Sequence, residues 1–419
     1  MIAVITDFGR DSFYVGQMRG VIKRLSPASE VVDISSSIPP FDITAGQFVL
    51  FTSFRFFPEG TVFLVVVDPG VGSRRKAVAL HSGGYYFVGP DNGIMGFLRD
   101  VRGVQLEIPS GASSTFHGRD VFAPAAAKLD MGIPLEKLGK GLDGIIRYDF
   151  RDLDFLPDGR ICGKIVYIDD FGNAISSIDR GFYMGGILEL ESGRTVENFA
   201  RTFSDVGKGE AMFYVDSFGF LEVAVRERSA AEVLGLDRGT GVCIRPLEDT
   251  LERRAFYFAA RAHGNQKRKF SYDFYIHHPR RVAHILREFT GDEEMVAAAY
   301  MHDVVEDTPV PVEEICKRFG FRICRLVEEM TDDKNLRRQM GRIPYIKRKI
   351  LGISPDALLI KLADRLDNLG DTGEFPPDLR KRYIQETEAM VEAVKSRGDL
   401  SDIHLRLLER LICSISTKS

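Results

Sequence analysis

At 419 residues the chain is too long for one ordinary domain, and two or three are expected. A hydrophobic share of 44% against 28% charged residues excludes a disordered or fibrous protein. The formal net charge of −4 argues against general nucleic-acid binding, and no apolar run reaches membrane-spanning length. The five cysteines, Cys162, Cys243, Cys316, Cys324 and Cys413, are scattered, odd in number and form no C-x-x-C pair. They read as reduced core thiols of a cytoplasmic protein. Met1 to Ile5 runs directly into Thr6-Asp7 with no basic segment or apolar h-region, so no signal peptide is expected.

The chain opens with a short apolar strand, Ile2 to Ile5, that ends in Thr6-Asp7-Phe8-Gly9. A carboxylate just past a strand, followed by glycine and a helix (Tyr14 to Leu25), is how an α/β sheet presents ligand-binding groups. A second strand, Thr61 to Val67, is almost wholly β-branched or apolar, as buried parallel strands are. It leads into Asp68-Pro69-Gly70-Val71-Gly72-Ser73-Arg74-Arg75, a loop whose glycines permit positive φ. Tyr85 to Val88 precedes the turn Pro90-Asp91-Asn92-Gly93, and Phe116-His117-Gly118-Arg119-Asp120 precedes an Ala-rich helix, Phe122 to Leu129. Singly, each loop is better explained as a turn or a cap. Four polar loops after apolar strands of one domain point to a shared sheet edge. No G-x-G-x-x-G follows the first strand, which argues against NAD.

From residue 158 the pattern turns to short strands: Gly163 to Asp169, Ile187 to Glu191, Ala211 to Tyr214, Gly219 to Val225 and Gly241 to Arg245. They predict a small β-barrel or sandwich. From residue 248 the period becomes helical, predicting an all-α region with helices from Leu251 to His263, Pro279 to Thr290, Met295 to Val304, Val312 to Phe319, Ile323 to Thr331, Ile343 to Ile350, Leu358 to Asn368 and Leu379 to Lys395. The expected divisions are 1–157, 158–247 and 248–419.

The densest chemistry lies in Ala299-Tyr300-Met301-His302-Asp303-Val304-Val305-Glu306-Asp307, read as the end of a buried helix. His302 and Glu306 are four apart, as are Asp303 and Asp307, so on a helix each pair shares a face. Burying so many ionisable groups needs a cation or hydrogen bonds in compensation. The doublet alone is weak, but His278 and Asp364 extend it to a mixed imidazole and carboxylate set. Four such ligands that leave room for water suit Mn²⁺, Fe²⁺ or another first-row metal better than a closed structural zinc site.

The first two regions resemble the S-adenosyl-L-methionine hydroxide adenosyltransferases, relatives of the fluorinase and chlorinase. The matching pieces are Thr6-Asp7-Phe8-Gly9, Tyr14-Val15-Gly16, Val67 to Ser73, Pro90 to Gly93 and Phe116 to Asp120. The resemblance implies that Asp68, Arg75 and His117 orient and activate water without a cofactor. It also implies substrate contacts at Asp7, Phe8, Tyr14, Asn92, Asp169, Phe171, Asn173 and Ser217, and a homotrimer with each site completed by a neighbour. The halogenases lack the triad, so water is favoured over halide as nucleophile; a halogenase remains an alternative. The family places an Asp five residues after the first motif's Asp, where this chain has Ser12, with Asp11 one position early.

The third region resembles the HD superfamily, most closely the hydrolase domain of the RelA/SpoT proteins. The resemblance runs through Ala260 to His263, Asn265 to Lys269, Tyr275 to Pro279, His302 to Thr308, Thr331 to Lys334 and Lys361 to Leu369. It implies Mn²⁺ on His278, His302, Asp303 and Asp364, with Glu306 and Asp307 handling the attacking water. Arg268, Lys269, Lys361 and Asn368 become nucleotide contacts, and the substrate a guanosine polyphosphate. The expectation is thus a bifunctional hydrolase acting on small molecules. In the alternative, the HD region only senses nucleotide.

Overall fold

The computed structural model describes residues 1–418. The fold class is the one expected: an α/β domain, then a small β domain, then an all-α domain. The chain forms two compact units. One comprises Met1–Asp152 with Lys164–Ser177 and Val215–Thr240; the other comprises Leu153–Gly163, Ile178–Tyr214 and everything from Gly241. The strands of the middle region are therefore shared between the two units. Among the described residues no helix is long and apolar enough to cross a membrane.

The first unit is built on β1 (Ile2–Thr6), β2 (Val31–Ser35), β3 (Val62–Val66), β4 (Ala77–Ser82), β5 (Tyr85–Pro90), β6 (Arg102–Leu106) and β7 (Gly139–Gly141), in the order β2-β1-β3-β5-β4-β6-β7. β1 pairs in parallel with both β2 and β3, and β3 in parallel with β5. The pairings of β4 with β5 and β6, and of β6 with β7, are antiparallel. The sheet is thus mixed, not parallel throughout. Every residue of β1 and β3 is buried, as expected of central strands covered on both faces. The chain leaves β1 for β2 on one side and returns to β3 on the other, so the strand order reverses between β1 and β3. Such a switch point opens a crevice at the carboxyl ends of the strands. Thr6 pairs with Val66, which brings Asp7 and the Asp68 loop to the same edge. The helix Ile43–Ser53 between β2 and β3 has no clear apolar period, because Ala45, Gly46, Gln47, Phe48 and Leu50 are all buried.

In the same unit, within Lys164–Ser177, Ile168 pairs antiparallel with Ala174 and Tyr167 with Ile175. Val166, Ile175 and Phe220 pack with Phe48 and Phe150 in one apolar cluster.

The second unit's strands Gly186–Leu190, Thr195–Val196 and Gly241–Pro246 form an antiparallel ladder. Its helices centre on Glu293–Met301, where Met295 to Met301 are all buried. That helix packs against Leu251–His263, His277–Arg287 and Phe321–Met330, while Pro355–Gly370 lies against His277–Arg287. Two short helices escaped the periodicity reading of this region, Lys334–Met340 and the four-residue Val304–Asp307, as did the terminal Asp402–Lys418.

Two expectations are corrected. Cys162 is bonded to Cys243, and Cys316 to Cys324, leaving only Cys413 as a free, exposed thiol among the described residues. Separations of 81 and 8 residues hide pairs that tertiary structure brings together. The helix expected to run through His302 to Val304 ends at Met301. Asp303 sits at the edge of the right-handed region (φ −101°, ψ −3°), and Val304–Asp307 forms a separate short turn. Asp303 and Asp307 still share a face, since both accept from the Tyr275 hydroxyl.

Candidate functional site

The first candidate site gathers around Asp68. Arg75 Nε donates to both Asp68 carboxylate oxygens at 3.0 Å, and Arg75 Nη2 also bonds Asp68. The same Nη2 lies 2.8 Å from His117 Nδ1. An arginine only donates, so Nδ1 must be the acceptor and the neutral ring carries its proton on Nε2. Burial lowers the imidazole pKa, and the Arg75 charge adds to the effect. His117 therefore stays neutral. Arg75 Nη1 is buried and has no hydrogen-bond partner among the described residues. An orphan donor on a buried charged group calls for an acceptor.

Local geometry explains how the loops meet. Gly72 adopts φ +76°, and a Cβ there would stand 2.5 Å from the Ser114 carbonyl oxygen. Only glycine lets the Asp68–Arg75 loop approach the loop that carries His117 this closely. His117 itself enters a π-helical turn, Gly118–Phe122, a widened geometry frequent at functional sites.

Around this triad, Asp7 accepts the Phe41 N–H at 2.8 Å, and burial raises its carboxyl pKa. Phe41 sits at φ 64°. A left-handed non-glycine residue costs on the order of 1–3 kcal/mol, strain of the kind that gathers at binding sites. Phe8, Tyr14 and Phe116 form an aromatic group with centroids 4.9–5.9 Å apart. Ser12 caps the helix Phe13–Leu25 by accepting from Tyr14 N. A structural cap thus fills the place where the related family has an acid.

Asn92 turns inward. Its Nδ2 donates to the Val67 carbonyl at 2.9 Å, bracing the chain next to Asp68. Asp169 accepts from the backbone N–H groups of Phe171 and Asn173 and from Asn173 Nδ2, closing a tight turn that leaves Phe171 80% exposed. Ser217 is exposed on a similar turn organised by Asp216.

The second candidate site brings together His278, His302 and Asp364, with ligand atoms all within 4.8 Å. His278 Nε2 lies 3.3 Å from Asp364 Oδ1 and 3.5 Å from Asp303 Oδ2. His302 Nε2 lies 3.1 Å from Asp303 Oδ2 and 3.9 Å from Asp364 Oδ1. Both rings are held from behind: His278 Nδ1 is 2.7 Å from Asp367 Oδ2, and His302 Nδ1 is 2.8 Å from the Ala299 carbonyl. Each Nε2 is thereby left facing the carboxylates, the usual orientation of metal-binding histidines. His302 Nε2 is buried and makes no well-directed hydrogen bond among the described residues. Burial pushes this imidazole down, but Asp303 and Asp364 more than offset it and raise the pKa to about 9. The acids thus create a strong demand for positive charge, and the donor set fits a divalent first-row cation.

Tyr275, Asp367 and Arg281 serve the cluster without having been singled out in the sequence, beside the expected Lys361, Glu306, Arg268, Lys269 and Asn368. The Tyr275 hydroxyl donates to Asp303 at 2.6 Å and to Asp307 at 2.9 Å. Asp367 sits three residues beyond Asp364 on one helix, a spacing that flags it in retrospect, and Arg281 Nε donates to it at 2.6 Å. Lys361 Nζ donates to Asp364 at 2.9 Å. Glu306 accepts the Asp332 N–H at 3.1 Å, and burial, reinforced by Asp332, raises its pKa. Arg268 Nη2 donates to Asn368 Oδ1 at 2.7 Å, joining two of the expected nucleotide contacts. Lys269 is exposed over the Phe270 ring.

Comparison with known proteins accounts for both regions. Residues 2–139 match the SAM hydroxide adenosyltransferase N-terminal domain, and residues 163–243 match its C-terminal domain. An (R)-S-adenosyl-L-methionine hydrolase of Thermus thermophilus is 40% identical over 255 residues, 57% of this chain and 96% of that one. The chain belongs to the SAM hydroxide adenosyltransferase family. A solved structure of an uncharacterized conserved protein from Thermotoga maritima is similar with a TM-score of 0.53 and 35% identity, covering 58% of this chain and 99% of that one.

This adenosyltransferase relative carries an appended HD domain, matched over residues 255–391. There a guanosine-3′,5′-bis(diphosphate) 3′-pyrophosphohydrolase of Aquifex aeolicus is 39% identical over 137 residues, 32% of this chain but only 20% of that protein. The protein is a hydrolase, with a divalent-metal type of site in its HD domain.

Proposed function

We propose that the chain is a bifunctional enzyme. Its front hydrolyses S-adenosyl-L-methionine to adenosine and L-methionine, and its HD domain is a Mn²⁺-dependent 3′-pyrophosphohydrolase of guanosine polyphosphates. We place the divisions at 1–157, 158–247 and 248–419, in keeping with the bounds of the three family matches.

The observation that carries the front reading is the Asp68–Arg75–His117 constellation with its unmatched Arg75 Nη1. That donor can hold the oxygen of a water, while Asp68 accepts one of its protons. His117, with its lone pair committed to Arg75, fixes the guanidinium. Water attacks C5′ in line as the C5′–S bond breaks, and the bonding electrons pass to sulfur. The sulfonium thereby becomes a neutral thioether, so methionine leaves without a general acid. Positioning and proton removal are the remaining work. Asp7 would accept hydrogen bonds from the ribose diol, and the Phe8, Tyr14 and Phe116 group offers apolar ring faces beside it. Asp169, Phe171, Asn173 and Ser217 would complete a neighbouring copy's site in a homotrimer, for which the exposed Phe171 is suited.

In the HD domain, His278, His302, Asp303 and Asp364 would hold the cation, which supplies Lewis acidity and makes nearby water more acidic. Glu306, whose carboxyl pKa is raised by burial and by Asp332, and Asp307 would take the proton of the attacking water. Arg268, Lys269 and Asn368 would hold the nucleotide, with Arg268 already joined to Asn368.

Product analysis of the full chain tests both halves. It should release adenosine from S-adenosylmethionine with or without Mn²⁺, and pyrophosphate from guanosine 3′-diphosphates only with it. Retained Mn²⁺ without pyrophosphate release would replace the second activity with a sensing role. Formation of 5′-halo-adenosine in halide would replace hydrolysis at the front.

A further inference from the structure

Next to the HD metal cluster lies a cavity of about 160 Å³ lined by Arg337, Arg342, Lys349, Lys361 and Arg365, with only Asp332 and Glu386 as carboxylates. Its walls come from Lys334–Met340, Arg342–Gly352, Pro355–Gly370 and Pro377–Lys395. Four of the five cations have partners. Lys349 and Arg337 both bond Asp332, Arg342 reaches Glu386 at 3.4 Å, and Lys361 bonds Asp364. Arg365 is different. Its guanidinium lies 4.4 Å over the Tyr383 ring, the residue is 7% exposed, and Nη1 is buried without a hydrogen-bond partner among the described residues. A buried ionised donor left unmatched is costly, and the surplus of cations names the missing acceptor as an anion. The cavity is many times what one water needs, yet small for a nucleoside. Guanidinium forks match phosphate oxygens in pairs.

Two hydrogen bonds tie this wall to the chemistry. Lys361 holds the expected metal ligand Asp364, and the Asp332 N–H is bound by Glu306. We propose that the cavity is a diphosphate-binding site that receives the pyrophosphate released by the HD domain. Its role as leaving-group site rests on the hydrolase reading; its affinity for the anion does not.

The test is titration calorimetry of inorganic pyrophosphate into the full chain, loaded with Mn²⁺ and again after chelation. A site built from side-chain cations keeps binding pyrophosphate after chelation. That binding should weaken by roughly tenfold or more in Arg365→Met, the loss of a charge-assisted hydrogen bond. Arg342→Gln, half-exposed at the cavity rim, should weaken it in the same direction if Arg365→Met does not fold. No binding after chelation, or binding unchanged in a folded variant, overturns the site. Pyrophosphate should also inhibit nucleotide turnover, with inhibition relieved in Arg342→Gln; unchanged inhibition overturns the leaving-group role. Variant-sensitive binding in a chain that never turns over guanosine 3′-diphosphate overturns the hydrolase reading while upholding the anion site.

Discussion

At the front of the chain, one carboxylate, one guanidinium and one imidazole are joined edge to edge, and their charges nearly balance without any ion. In the HD domain, two imidazoles converge on Asp303 and Asp364, and the His302 pKa rises to about 9 as the cluster seeks a cation. Under the proposed function, the contrast is between two ways of preparing water for attack. A guanidinium fixed by the protein supplies the positive charge in one, and a site built to import it does so in the other. It also separates the structural demands. The front needs loops that approach closely, hence Gly72, whereas the HD cluster needs rings locked from behind, hence Asp367 and the Ala299 carbonyl.

The largest expected effect sets the two sites apart outright. Chelation, or Asp364→Ala, should remove pyrophosphate release entirely and leave the adenosine rate intact; a parallel loss of adenosine would show that the front also depends on metal. Next, Asp68→Ala should lower the adenosine-forming kcat by about 10²–10⁴, the usual worth of a positioned proton acceptor. KM should change little, and undiminished turnover would remove Asp68 from the mechanism. Asp367→Asn should weaken metal binding by about 10–100-fold, as loss of a ligand's supporting carboxylate does. Metal titration of the variant would reveal it, and unchanged affinity would mean that packing, not Asp367, orients His278.

The smallest effect is in the pH profiles. Burial and Arg75 lower the His117 pKa, so the ring stays neutral to lower pH than an ordinary histidine near 6.5. Adenosine release should hold level as pH falls through 6.5 and decline only below it. Glu306 must be deprotonated to accept a proton, and its raised pKa moves the acid limb of the HD reaction above the ordinary glutamate range near 4.3. Adenosine release that already declines at or above pH 6.5, or an HD acid limb at the ordinary glutamate value, would refute the corresponding shift.

Much of this was legible in the chain because its signals are local. An apolar run ending in Asp7 or Asp68 already marks strand and loop, since burial on both faces demands continuous apolar residues and the strand's end must turn. The helical period from Leu251 reports a solvent-facing side against a core-facing one. Asp68, Arg75 and His117 come from two separate loops, and resemblance proposed a meeting that the fold then displayed. What the residues could not show by themselves depends on long-range geometry. Ile43–Ser53 lacks a period because none of its residues is fully exposed, and Cys162 and Cys243 are neighbours only after folding. The break after Met301 turns an expected helical face into a bend that aims His302 and Asp303 at one point. Composition and periodicity determined the buried strands Ile2–Thr6 and Val62–Val66, the polar loops after them and most of the helices beyond Leu251. The tertiary structure alone decided which ionisable groups face each other, because that pairing depends on packing between elements far apart in the chain.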